Sequence, residues 1–288
     1  MKRIVKLLLP PILTNLLEDR LRGMGHRQGT LEYAPEGWKS LQGNRMTGWD
    51  AESIVQAKKA NLDEFLQHVR GTGALVVSPE NTDVPDMQKL SIHNVYMTYA
   101  YALAMAAHRK TRVSLLDYGG GLGHLYQIGQ KLLPAVTLEY HCKELPLMAA
   151  VGKMLNPEVC WHTDDSFLEE SYDLVMVNAS LQYIHHWQDT LGRIGATVNE
   201  EGYLLLTRLP VVEGPSFAAI QRMYGSEMMH WQLNQDAIFE AVGSTGLRLL
   251  REMYIGDRPY IKGAPIQCEL KGWLFKRESA EEKKTAPK

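Results

Sequence analysis

Val113-Ser114-Leu115-Leu116-Asp117-Tyr118-Gly119-Gly120-Gly121-Leu122-Gly123 is the stretch on which the fold turns. Its apolar first half reads as a buried strand, Val113–Asp117, and the glycines behind it as a tight turn. The pattern after the turn, Gly123–Leu133, reads as a helix. A strand running through such a turn into a helix is the opening unit of a parallel α/β sheet. Glycines let backbone N–H groups approach a ligand, and the helix adds its positive N-terminal end. The spacing is G-x-G-x-G, not the G-x-G-x-x-G of a pyrophosphate binder. Asp117 would repel a pyrophosphate and suits a ligand that carries a cationic amino group. Asp117, Gly119, Gly120, Gly121 and Gly123 are therefore assigned to a ligand-binding turn.

Strands and helices alternate beyond it. Val136–Cys142 reads as a strand, Pro146–Leu155 as a helix, Val159–His162 and Tyr172–Asn178 as strands, and Trp187–Val198 as a helix. Tyr203–Arg208 is a further strand and Asp236–Thr245 a helix, with Gly246 placed to end it. Leu247–Tyr254 and Ile266–Phe275 close the chain as a strand pair with no helix between them, which predicts an antiparallel strand at the end. A long helical stretch from Leu90 to about His108 precedes the first strand, and its Tyr96, Tyr99 and Tyr101 read as packing residues. Residues 26–50 read as irregular. Asp50 is placed to cap a helix that starts at Ala51 and runs through Phe65 and Val69 to Gly71. The expected division is an N-terminal helical extension over 1–89, a core domain over 90–277 and a disordered tail over 278–288.

Three further segments supply candidate ligand contacts, because open α/β sheets bind at the carboxyl ends of their strands. Glu144 follows the second strand of the core, 21 residues beyond Gly123, where a carboxylate can take a pair of ribose hydroxyls. Glu139 competes but falls inside the strand. Asp164 and Asp165 follow the third strand, where either can accept from an adenine amino group; the competing role is helix capping. Asn178, Ala179, Ser180, Gln182 and Tyr183 follow the fourth.

The whole chain, 288 residues with 45% apolar and 22% charged, has the composition of an ordinary globular protein. A net charge of −2 gives no electrostatic case for nucleic acid. Cys142, Cys160 and Cys268 form no CxxC pair and no zinc spacing, so no metal site is expected, and a reducing cytoplasm suits them. The basic, apolar start from Met1 to Leu13 is broken by Pro10-Pro11, too short to span a membrane; it reads as a short helix or as a weak anchor on the inner membrane face.

Together these motifs resemble class I S-adenosylmethionine-dependent methyltransferases over roughly residues 90–277. More narrowly, Gly48-Trp49-Asp50-Ala51, Leu116-Asp117-Tyr118-Gly119-Gly120, Leu181-Gln182-Tyr183 and Thr207-Arg208-Leu209-Pro210 resemble a bacterial family of methyltransferases that accompanies surface-polysaccharide biosynthesis genes. The resemblance implies a Rossmann-like α/β fold: seven strands, mostly parallel with an antiparallel last strand, and helices on both faces. It implies S-adenosylmethionine held by the glycine turn, Glu144 on the ribose, Asp164 or Asp165 on the adenine, and Asn178 to Ser180 beside the donor. No Asn-Pro-Pro-Tyr string follows the fourth strand, which weakens amino-group methylation of nucleobases or glutamine. No catechol-type metal set is evident.

The expected reaction is O-methylation of a small molecule or glycan hydroxyl. A hydroxyl must lose its proton, and histidine is the natural base near neutral pH. His185, with His186 beside it, and His230 are the candidates, with Tyr183 as a further catalytic residue. Gln182 and Arg208 are assigned to the acceptor, Arg208 because a guanidinium can hold a carboxylate or phosphate. Two alternatives stay open: a nicotinamide-dependent oxidoreductase, and a module that binds S-adenosylmethionine without turnover. Neither the acceptor nor the oligomeric state can be read from the sequence.

Overall fold

The computed structural model describes residues 30–41, 48–79 and 86–277. Seven strands make the central layer. Their spatial order is β4 (Cys160–His162), β3 (Thr137–Lys143), β2 (Arg112–Tyr118), β5 (Tyr172–Asn178), β6 (Val198–Val212), β11 (Glu269–Arg277) and β9 (Leu247–Asp257). The first five run parallel, and β11 is antiparallel to both its neighbours. This is the expected seven-stranded α/β sheet with an antiparallel last strand.

Both faces of the central strands are apolar, so both are covered. On β5, Leu174 and Met176 join one buried cluster and Val175 and Val177 the other. The first cluster takes Tyr99 and Leu103 of α3 (Asp86–Ala106) and Leu125 and Ile128 of α4 (His124–Leu132). The second takes Leu191 and Ile194 of α6 (Trp187–Ala196) and Ile238 and Val242 of α7 (Gln235–Gly243). The remaining core helix, α5 (Pro146–Leu155), starts on Pro146, whose missing N–H costs nothing in a first turn. Of the three tyrosines on α3, Tyr99 is buried, Tyr101 is exposed, and Tyr96 donates to the Val77 carbonyl at 2.9 Å.

The N-terminal part departs from the expected helical extension. Thr30–Tyr33 is a strand, β1, within the segment read as irregular. The single helix expected from Ala51 is two, α1 (Glu52–Ala60) and α2 (Leu62–Arg70), broken at Asn61. Asp50 caps neither: its Oδ1 accepts from Leu147 N–H at 3.0 Å and so caps the first turn of α5, tying the extension to the core. Residues 1–29 and the tail 278–288, with the anchor and disorder expectations made for them, lie outside the described residues.

The stretch 209–235 forms β7 (Phe217–Met223) and β8 (Ser226–Asn234), a hairpin. Its two-residue turn is Tyr224-Gly225, both with positive φ (53° and 75°), the backbone of a tight primed turn. β5 stops at Asn178 while β6 runs on, and β8 occupies the vacated edge, pairing Val211 with Leu233 and Val212 with Asn234. β1 pairs with β7, and β10 (Ile261–Lys262) with β1. This four-stranded flap extends from the carboxyl end of the central strands, where ligands sit in such sheets.

Candidate active site

A cavity of about 570 Å³ lies at the carboxyl ends of β2, β3, β5 and β6. The glycine turn forms one wall. Gly119 has φ +77°, and a Cβ there would meet Ser180 Cβ at 2.3 Å. Gly120 needs its missing side chain for space instead: a Cβ would lie 2.3 Å from Asp117 Oδ2. The backbone thus closes against Asp117 on one side and Ser180 on the other. Ser180 Oγ donates to the Tyr118 carbonyl at 2.6 Å, locking the turn to the segment after β5.

Asp117 is fully buried, and its Oδ2 accepts from Tyr140 O–H at 2.6 Å. Its Oδ1 has no hydrogen-bond partner among the described residues, nor have the buried Asn178 Oδ1 and Gln182 Oε1. All three residues line the cavity. Three unpartnered acceptor oxygens in one pocket call for a ligand with donors or positive charge. Burial raises the Asp117 carboxyl to about 7; the Tyr140 hydrogen bond opposes this, the Glu144 charge adds to it, and Lys58 opposes it. Glu144, half-buried at the end of β3, is also raised to about 7, by burial first, with Lys58 and the Leu145 N–H opposing. Such raised carboxyls mark a site poised for a cation.

Lys58 went unnoticed in the sequence. It sits on α1, is 8% exposed, and reaches the cavity 5.6 Å from the Trp49 ring centre. A Cβ on Gly121 would lie 3.1 Å from its Nζ. An ammonium beside the glycine turn can hold a ligand carboxylate while Asp117 holds an ammonium, the pair of charges that an amino acid carries. Only the fold could reveal this, because a lysine on an amphipathic helix reads as a surface charge.

Asp117, Gly119, Gly120, Gly121, Glu144, Asn178, Ala179, Ser180, Gln182, Tyr183, Arg208 and His230 all line this one cavity. Gly123 stands behind it as the left-handed residue that starts α4. Three of the expected site residues lie outside the lining. Asp164 is exposed and accepts from Ser166 N–H at 3.0 Å, capping the short helical turn Asp165–Glu169. Asp165 is exposed and paired with Arg193 at 2.7 Å. His185 is exposed, lies outside the lining and stacks on Trp38 at 4.8 Å.

His230 does line the cavity. Burial lowers it to about 3, far from the working range of a general base. Gln232 Nε2 lies 2.8 Å from its Nδ1. An amide nitrogen only donates, so Nδ1 accepts and the neutral ring carries its proton on Nε2. Tyr183 packs edge-on against this ring and donates to Gln221 Oε1 at 2.8 Å.

Arg208 owes its direction to an irregularity in β6. Leu206 pairs with Trp273 and Leu209 with Lys271, so Thr207 and Arg208 together oppose Gly272. This is a bulge, the device that re-aims side chains beside sites. Arg208 adopts φ +55°, a left-handed conformation that costs a non-glycine residue about 1–2 kcal/mol. Its guanidinium lines the cavity without a hydrogen bond or ion pair among the described residues.

A family model described as a methyltransferase domain matches residues 92–240, just over half the chain. No protein of curated function matches in sequence. Among solved structures, the chain is similar to an S-adenosylmethionine-dependent methyltransferase from Clostridium acetobutylicum (11% identity, 64% of this chain and 92% of that one, TM-score 0.44). It is also similar to magnesium protoporphyrin IX methyltransferase from Synechocystis PCC 6803 with bound SAH (13%, 78% and 98%, 0.45). A third is an O-methyltransferase family protein from Burkholderia thailandensis (17%, 79% and 72%, 0.45). Likeness at this level says nothing about acceptors or residue roles.

Proposed function

This chain belongs to the methyltransferase-domain family, and on that premise we propose that it moves the methyl group of S-adenosylmethionine to an oxygen of a small-molecule or glycan acceptor bearing a negative charge. The observation that carries the reading is the single cavity that joins the glycine turn, its unpartnered acceptors and Lys58 to Arg208, whose side chain has no hydrogen bond or ion pair among the described residues. The residues present fit the donor. Asp117, Asn178 and Gln182 offer oxygens to cationic and N–H groups, Lys58 offers an ammonium to a carboxylate, and Glu144 offers a carboxylate to ribose hydroxyls. The sulfonium supplies an already activated methyl group, so the chain's task is alignment and charge placement. Arg208 anchors the acceptor's anionic group, and His230 and Gln182 orient it by hydrogen bonds. An acceptor of polysaccharide biosynthesis, such as a charged sugar, suits this pocket, and the cysteine usage suits a cytoplasmic setting. Among the described residues no helix is long and apolar enough to cross a membrane.

Calorimetry with S-adenosylhomocysteine, followed by transfer assays on acidic and neutral sugars, tests the reading. Arg208→Ala is expected to lower turnover of a charged acceptor about 30- to 1000-fold, the worth of a lost charge anchor, with donor affinity nearly unchanged. Binding of NAD(H) in place of the donor, or equal loss of turnover on charged and neutral acceptors, would overturn it.

Donor affinity is expected to depend on pH. Protons compete with the cationic donor once pH falls below about 7, where the empty Asp117 and Glu144 take them up. Each carboxyl weakens binding by up to about tenfold per pH unit below that point. Calorimetry at pH 8 and pH 6 checks this; equal affinities would show that neither carboxylate faces the donor.

A second reading concerns the accepting atom. His230 is too weakly basic to deprotonate a hydroxyl, and His185 lies outside the lining. A carboxylate oxygen needs no base and would be drawn to Arg208. Mild alkali cleaves a methyl ester and spares a methyl ether, so product lability separates the two.

A further inference from the structure

His141, Cys160 and His162 meet on one face of the sheet edge, away from the cavity. Register explains why. Cys160 and His162 are two apart on β4 and so point the same way, and His141 stands opposite Cys160 on β3. His141 Nδ1 is 3.0 Å from His162 Nε2, and Cys160 Sγ is 3.6 Å from that same nitrogen. All the candidate ligand atoms lie within 4.8 Å of one another. A tetrahedral zinc ion with ordinary bond lengths sets nitrogens about 3.3 Å apart and nitrogen to sulfur about 3.6 Å. No residue of this trio lines the cavity.

The outer partners of the two rings make the case stronger. His162 Nδ1 is 2.8 Å from Ser166 Oγ, and His141 Nε2 is 3.7 Å from Glu170 Oε2. A carboxylate only accepts, so Glu170 favours the proton on His141 Nε2 and leaves a lone pair on Nδ1. Where Ser166 accepts from His162 Nδ1–H, a lone pair is left on Nε2. In that arrangement two lone pairs face each other at 3.0 Å, and a shared cation satisfies both. A carboxylate and a hydroxyl beside the outer ring nitrogens are the usual surroundings of metal-bound histidine. We propose that His141, Cys160 and His162 form a site for a zinc-class divalent ion, the fourth position being filled by water. The spacing could not reveal it, because one ligand comes from the neighbouring strand. Mixed thiolate and imidazole ligands select zinc over magnesium or calcium. β4 has three residues and pairs only with β3 in the central layer; a bound ion would clamp this short edge strand and the turn at 163–166 that it carries.

The test uses the full chain without a histidine tag, stripped with chelator and titrated with zinc chloride by calorimetry and with cobalt(II) by absorption. One ion per chain is expected, with a thiolate-to-cobalt charge-transfer band and a rise in Tm on adding zinc. Cys160→Ser, at an exposed position, should abolish the band, and His141→Gln should weaken zinc at least tenfold. Circular dichroism of the metal-free variants controls for folding. Absence of the band in the wild-type protein overturns the proposal whatever the variants do, and leaves a shared proton between the two rings. Zinc affinity unchanged in both variants overturns it as well. Because the trio stands outside the cavity, neither outcome touches the reading of the donor site.

Discussion

Gly119→Ala is expected to cost the protein both stability and its donor site. Two penalties coincide at this residue. An alanine at φ +77° sits in the left-handed region, at about 1–2 kcal/mol. Its Cβ would lie 2.3 Å from Ser180 Cβ and 2.8 Å from Ser180 Oγ. Ser180 cannot retreat freely, because its hydroxyl donates to the Tyr118 carbonyl. Overpacking of this kind adds about 1–3 kcal/mol. A total near 2–5 kcal/mol should lower Tm by roughly 5–15 °C, and the displaced turn should weaken S-adenosylhomocysteine by 100-fold or more. Gly119→Ala/Ser180→Gly separates the causes: it removes the clash and keeps the strain, so about half of the Tm loss should return. At Gly121, also left-handed at φ +62°, the nearest obstacle to a Cβ is the flexible end of Lys58 at 3.1 Å. Gly121→Ala should therefore be the milder change. If Gly119→Ala binds the donor like the wild-type protein, the turn is not a donor wall.

The central layer was legible because its signals are local. The run Tyr172–Asn178 and the helix Pro146–Leu155 were placed to the residue, since an unbroken apolar run and a proline at the first helical position each act within a few residues. The flap was not legible because its partners are remote. Thr30–Tyr33 becomes a strand only by pairing with Arg222–Ala219 and Ile261–Lys262. Phe217–Met223 carries no strict alternation, and its turn places Tyr224 where asparagine or aspartate would have announced a hairpin. Strand ends placed Asp117, Glu144 and Asn178 to Ser180 together, and these residues line one space. The acidic pair at 164–165 lies apart from the cavity lining, because a strand end is also a helix start and capping engages the first of the two carboxylates. His230 was found by type and position, whereas its basicity depends on burial, which no spacing reveals. Lys58 and the bulge that turns Arg208 inward are products of tertiary contact alone.

Asp117→Asn should weaken the donor strongly while making the empty protein more stable. A carboxyl raised from 3.8 to about 7 means that the folded state holds a proton that the unfolded chain has released. The sign follows: stability of the empty protein falls as pH rises from about 4 to 7, because folding favours the protonated acid there. By pH 8 the charged, buried Asp117 costs roughly 3–4 kcal/mol relative to a neutral group. Asparagine has the same shape, keeps an oxygen for the Tyr140 hydroxyl, and carries no charge. Its own N–H groups are left to find partners, so the net gain should be about 1–3 kcal/mol, or several degrees in Tm at pH 8. At pH 4 the wild-type carboxyl is itself protonated, so the gain should vanish. Donor affinity moves the other way. Without the carboxylate the donor's ammonium loses its counter-charge, and a loss of about 100-fold is expected for a truncated buried charge pair. A merely structural aspartate would behave differently: its replacement would lower Tm at every pH and leave the donor's affinity alone. Thermal melts at pH 4 and 8, beside calorimetry with S-adenosylhomocysteine, therefore decide whether this buried charge is held in place for the ligand it binds.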